Sequence, residues 1–92
     1  MSKVGVHLII EGRVQGVGFR YFSQRIGTAN NVNGFVRNLS DGSVEIEAEG
    51  DNQHISKFIN SVRNDHPYAR VLNIQQNDLP YTGKFENFQI KY

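Results

Sequence analysis

The chain has 92 residues, no cysteine and a formal charge of +1 at pH 7. A chain of this length makes one domain, 1–92, and buries about two-thirds or less of its unfolded surface. Without thiols it has no disulfide framework and no cysteine nucleophile, and its near-neutral charge speaks against a general nucleic-acid binder. No apolar run approaches the roughly 18 residues of a membrane span, and no signal-peptide pattern is present. A cytoplasmic protein with no membrane partner is the expectation.

Val4, Val6, Leu8 and Ile10 alternate with Gly5, His7, Ile9 and Glu11, which predicts a strand buried on one face. It leads into Gly12-Arg13-Val14-Gln15-Gly16-Val17-Gly18-Phe19-Arg20. Gly16 and Gly18 can take positive φ at no steric cost, so several N–H groups can point inward from a tight loop. A concave run of donors ahead of a helix N-terminus is a ready anion site. Arg20 adds a planar, permanently charged fork suited to phosphate. Two glycines alone fit an ordinary strand-to-helix turn equally well. Arg20 favours the anion reading, because an arginine suits the positive end of a helix only when an anion lies between them. No Gly-Lys-Ser/Thr follows, so this is not a Walker loop, and the third glycine of a dinucleotide fingerprint is absent.

From Phe19 the pattern becomes helical, with Phe19, Phe22, Ile26 and Ala29 on one stripe and Ser23, Gln24 and Arg25 mostly off it. The helix is weak, since Gly27 costs about 1 kcal/mol against alanine in a helix interior. It should end near Asn30 or Asn31, with asparagine taking the left-handed cap. Asn33-Gly34 turns the chain into a second strand, Phe35 to Leu39, and Ser40-Asp41-Gly42 turns it again into a third, Ser43 to Glu49. There Glu45, Glu47 and Glu49 form an acidic outer row, expected to be a solvated face. Asp51 or Asn52 caps a second helix with stripe Ile55, Phe58, Ile59 and Val62, ended by Pro67. A fourth strand, Arg70 to Gln76, and a polar loop around Pro80 and Gly83 lead to Phe85–Tyr92, where Phe88, Ile90 and Tyr92 share a face. The order is βαββαβ. It predicts an α+β sandwich of ferredoxin-like type, an antiparallel sheet with two helices on one face.

Asn38 is an unusual residue for a strand. It is either a turn residue ahead of Ser40-Asp41-Gly42 or a side chain whose donor and acceptor orient a water. His7, His54 and His66 are scattered without ligand spacing, so structural roles and no metal are expected. No serine stands with a paired base, and no close carboxylate pair is visible.

The Gly12–Arg20 stretch closely resembles the first signature of the acylphosphatase family. Gly34-Phe35-Val36-Arg37-Asn38, with Gly42, Val44 and Gly50 behind it, is similar to the second. The resemblance spans essentially the whole chain. It implies hydrolysis of acyl phosphates to a carboxylate and inorganic phosphate, without cofactor or metal. It further implies that Arg20 binds the phosphoryl group with the backbone N–H groups of Gln15, Gly16, Val17, Gly18, Phe19 and Arg20. Asn38 would hold the attacking water, and the Tyr92 carboxylate would pair with Arg20. Inorganic phosphate would be product and competitive inhibitor, and the protein a monomer. Gly27 and Asn30 depart from the alanine and leucine common in relatives, Asn31 from a closing glycine, and Phe35 from a frequent tryptophan. These bear on the stability of the first helix more than on chemistry.

Two other readings share features with the chain. Gln15 to Phe22 echoes an RNA-recognition motif, but that motif belongs on a third strand, which here carries glutamates. A silent or carbamoyl-phosphate-handling domain related to acylphosphatases is the second.

Overall fold

A computed structural model describes residues 2–92, and its sheet has the strand order β4-β1-β3-β2-β5. The elements are β1 (Lys3–Arg13), α1 (Phe19–Ala29), β2 (Asn33–Asn38), β3 (Val44–Asp51), α2 (Asn52–Asn64), β4 (Arg70–Leu79) and β5 (Phe88–Lys91). The βαββαβ sandwich predicted from the pattern is the fold found, with β5 as a fifth strand added at its end. Three strand pairings are antiparallel, but β2 and β5 run parallel, so the sheet is mixed rather than wholly antiparallel. The reason lies in the last connection. β4 and β5 occupy opposite edges, and the segment between Leu79 and Phe88 crosses the whole sheet. Four strand spacings of about 4.8 Å make about 19 Å, a span that so short a segment reaches when extended at about 3.3 Å per residue.

The helices cover the face formed by Val6, Leu8, Ile10, Val36, Val44 and Ile46, all of which are buried. α2 contributes its predicted stripe, with Ile55, Phe58 and Val62 buried and Ile59 packed at the margin. α1 departs from its predicted stripe. Its buried residues are Phe19, Phe22, Ser23 and Gly27, while Ala29 is exposed. At Gly27 a small residue faces inward because Phe88 of β5 presses on the helix: a Cβ there would stand 2.5 Å from that ring. Ser23 is buried without penalty, since its Oγ donates to the Phe19 carbonyl at 2.8 Å. The helix closes through Asn30, whose Nδ2 donates to the Ile26 carbonyl at 2.8 Å, and through Asn31 at φ 57°. Asparagine tolerates that left-handed conformation better than most residues.

The other face of the sheet carries the acidic row, and it is not a solvated face. Glu49 is buried; its Oε2 accepts from the Thr82 N–H and hydroxyl, both at 2.8 Å, and its Oε1 from the Gly83 N–H at 3.0 Å. Lys84 reaches Glu47 at 3.0 Å, and Phe85 packs edge-on against Phe35. The crossing segment is thus fastened to β3 by the glutamates. Glu45 accepts from His7 Nε2 at 2.7 Å and from Arg37 Nε. Burial raises the Glu45 carboxyl, but the bonds from His7 and Arg37 outweigh it and hold the group below its ordinary value of 4.5. Among the described residues, no helix is long and apolar enough to cross a membrane.

Candidate active site

After Arg13 the strand pattern gives way, and two left-handed glycines turn the chain back on itself. Gly16 has φ 77° and Gly18 φ 74°. A Cβ at either would meet nothing within 4 Å, so the space above the loop is open and the demand for glycine is conformational. Gly18 is the N-cap of α1; the cap makes no side-chain hydrogen bond and the first turn holds no acidic residue. The first N–H groups of a helix lack intrahelical partners. Here no side chain caps them, and Gly16 and Gly18 are exposed while Phe19 anchors the turn in the core. A helix start left open in this way carries a partial positive charge toward the loop.

The loop is held against the β2–β3 turn by a side chain assigned no such role from the sequence. Gln15 Nε2 donates to the carbonyls of Leu39 and Ser43, each at 2.8 Å. β3 lies between β1 and β2 in the sheet, and Ile10 and Asn38 both pair with its Val44, so the two registers set the loop one strand away from Asn38. The Gln15 carboxamide spans the remaining gap to the turn. The signal available in sequence was only that a glutamine precedes Gly16, which does not reveal the two carbonyls. The turn has its own brace: Asp41 Oδ1 accepts from the Ser43 hydroxyl at 2.6 Å and the Ser43 N–H at 3.0 Å. Those two bonds keep the Asp41 carboxyl below its ordinary value of 3.8.

Between loop and turn lies a cavity of about 180 Å³. Gly16, Gly18, Arg20 and Asn38 line it, over a floor that includes Val14 and Phe19. Tyr21, Ile90 and Tyr92 complete its wall. Of the residues singled out in sequence, these are brought together; Gln15 and Val17 stand half-buried in the same loop. Arg20 meets Tyr92 through the ring, its guanidinium carbon 4.7 Å from the ring centroid. The expected ion pair with the Tyr92 carboxylate is not among the ion pairs of the described residues; the contact between Arg20 and Tyr92 is through the ring.

The histidines lie elsewhere. His7 bonds Glu45 on the open face, and His54 lies 3.9 Å from Asp51. His66 Nδ1 accepts from the Tyr68 and Ala69 N–H groups at 3.0 Å, its ring against Phe19 and Phe22. Among the described residues no three His, Cys, Asp or Glu side chains converge as metal ligands would. Phe19 and Phe22 are buried, so they are not available to stack on bases as an RNA-recognition strand requires.

An arrangement of this kind, with open amides, one guanidinium and one carboxamide around a small cleft, suits a tetrahedral anion and a water. Comparison with known proteins points the same way. The family model described as Acylphosphatase matches residues 6–90. An acylphosphatase of Bacillus pumilus is 42% identical over 85 residues, covering 92% of this chain and 94% of the relative. That of Thermotoga petrophila is 46% identical over 83 residues, covering 90% and 91%. The crystal structure of acylphosphatase from Bacillus subtilis superposes with a TM-score of 0.92 at 37% identity, covering 97% of this chain and 99% of that one.

Proposed function

The chain belongs to the acylphosphatase family, enzymes that act on acyl phosphates, and from that premise we propose how its own residues perform the hydrolysis. Arg20 and the backbone N–H groups of Gln15 to Arg20 hold the phosphoryl oxygens through charge-assisted bonds. Asn38 holds a water through its side-chain amide, in line with the leaving oxygen. The water oxygen forms the new bond to phosphorus, the bond from phosphorus to the acyl oxygen breaks, and the carboxylate departs with that electron pair. The water proton passes to a phosphoryl oxygen of the substrate, since asparagine is no useful base. Inorganic phosphate is the second product.

The chemistry asks little more of the protein. A mixed anhydride has a good leaving group, so positioning and charge stabilisation carry the reaction. The observation that supports this reading is the single cavity lined by Gly16, Gly18, Arg20 and Asn38. We further propose that the reaction needs no metal or cofactor, and that inorganic phosphate competes for the same cleft. We also propose a cytoplasmic location and a monomeric state, the latter in keeping with a sheet whose open face is occupied by bonded polar side chains and the crossing segment.

The test is hydrolysis of benzoyl phosphate in the presence of a chelator and in ¹⁸O-labelled water. The expected results are undiminished turnover, competitive inhibition by inorganic phosphate, and label in the phosphate. Label in the benzoate instead places the attack on carbon and removes the phosphoryl grip from the mechanism.

A further inference from the structure

β4 has β1 on one side and no described strand on the other, so part of its backbone N–H and C=O groups face outward. An edge of this kind is a template for another strand, and proteins usually blunt it with charge, proline or a cover. Here Val71 to Asn77 contains no charged residue and no proline. The chain then turns away to cross the sheet, bonded to Glu49 and Glu47 of β3 rather than to this edge.

The register gives the edge two further features. Glu11 pairs with Asn73 and Gly12 with Val71, so Leu72 bulges from the ladder without a partner on β1. Its side chain is 73% exposed. Beside it lies a groove of about 200 Å³, lined by Val71, Asn73 and Ile74 and closed on the α2 side by Arg63. The same bulge sets Arg70 opposite Arg13; an unbroken register would have given Arg13 the apolar Val71 instead. Gly12 makes this possible, since a Cβ there would collide with the Arg70 carbonyl oxygen. Like charges directly opposite one another destabilise a ladder. Neither arginine is in an ion pair among the described residues.

Alternation from buried Ile10 puts Arg13, and with it Arg70, on the open face of the sheet, while Val71 and Ile74 lie on the helix face. An extended segment laid along β4 presents alternate side chains to those two faces. Apolar ones would meet Leu72 and the groove, and acidic ones would meet the two guanidinium groups. Glu11, on the same face as the arginines, has its carboxylate engaged by Asn73 and Gln75.

We propose that β4 is a docking edge for an extended protein segment in which acidic and apolar residues alternate. Charge selects that partner over a second copy of this chain. The one acid of β4, Asp78, pairs with Val6 and so belongs to the helix face, where it cannot answer the arginines of a copy joined edge to edge. The edge stands apart from the phosphoryl cleft and uses none of its residues.

The probe is an eight-residue peptide alternating glutamate and valine, blocked at both ends and titrated into ¹⁵N-labelled protein. The expected result is saturable amide shifts along Val71–Asn77, with Gln15 to Arg20 unmoved. An Arg13→Gln/Arg70→Gln double variant should weaken binding by about threefold to tenfold, the scale of two exposed ion pairs. Leu72→Glu should weaken it by about tenfold, through loss of apolar burial and added repulsion. All three side chains are exposed, so these variants should keep the wild-type far-ultraviolet circular dichroism, and Leu72→Glu should hydrolyse benzoyl phosphate at the wild-type rate. Lysine in place of glutamate in the peptide should abolish binding. Absence of shifts along β4 at millimolar peptide, or equal affinity for the glutamate and lysine peptides, overturns the proposal. So does a dimer of the free protein in sedimentation velocity that Leu72→Glu dissolves, because the edge then belongs to a second copy.

Discussion

The carboxamide of Gln15 donates to the carbonyl of Leu39 at 2.8 Å, joining the loop after β1 to the residue that follows Asn38. The same nitrogen reaches the Ser43 carbonyl. This side chain thereby adds a direct link between loop and turn to the register that places Ile10 and Asn38 on either side of Val44. Both carbonyls keep a backbone donor, Gly42 N–H for Leu39 and Leu39 N–H for Ser43, so Gln15→Ala should cost about 0.5–1.5 kcal/mol of stability, the net worth of an ordinary hydrogen bond. Gln15→Glu should be worse than alanine, because its carboxylate turns two acceptors against two acceptors. Urea unfolding of the three proteins checks the order, and kcat should fall more than the affinity for inorganic phosphate does. Equal stability of the glutamate and wild-type proteins contradicts the stitch.

Arg20 is predicted to be irreplaceable by lysine. Its guanidinium is oriented by the Tyr92 ring, and a planar fork can bond two phosphoryl oxygens where an ammonium acts as a point charge. Arg20→Ala should lower kcat/KM by about 10³-fold or more, and Arg20→Lys should recover only a minor part. Steady-state kinetics on benzoyl phosphate decides it. A lysine variant within a few-fold of wild type shows that charge alone suffices.

Gly27 is predicted to be stabilising where its helix propensity says otherwise. An alanine Cβ would stand 2.5 Å from the Phe88 ring. Gly27→Ala gains up to about 1 kcal/mol in propensity, while overpacking costs about 1–3 kcal/mol, so the net change should be destabilising. Relief of the loss in the Gly27→Ala/Phe88→Leu double variant would locate its cause. A more stable Gly27→Ala single variant refutes the packing account.

This glycine also marks where the sequence stopped being legible. The strands could be read because one face alternates in Val4, Val6, Leu8 and Ile10, and the cleft because glycines and an arginine stood together before a helix. The inward turn of Gly27 could not, since it looks like a helix breaker until Phe88 arrives from the far end of the chain, nor could that of Ser23, which looks like a surface residue. Glu45 and Glu49 alternate as a solvent face should, yet Thr82 and Gly83 cover one and His7 and Arg37 flank the other. The parallel β2–β5 pair, likewise, follows from a segment crossing the sheet and leaves no local pattern. What the sequence hides here is long-range. Local chemistry it displayed well.

Acid should weaken the open face through Glu45. Its folded-state carboxyl lies below the ordinary 4.5, so its contribution is complete above pH 4.5 and is lost as pH falls through the lower folded value. The pair with Arg37 is partly exposed, which limits the contribution to about 1 kcal/mol or less. Glu45→Gln should be less stable than wild type at neutral pH and converge on it below pH 4.5. A constant stability difference across that range contradicts the assignment.

The central claim is that the amides of the loop, together with Arg20, close on a phosphoryl group. Titration of ¹⁵N-labelled protein with inorganic phosphate, followed residue by residue in amide chemical shift, tests it most directly. The account predicts saturable shifts confined to Gln15 through Arg20 and the Asn38 side-chain amide, abolished in Arg20→Ala. Saturable shifts elsewhere on the surface, with those amides unmoved, would contradict it.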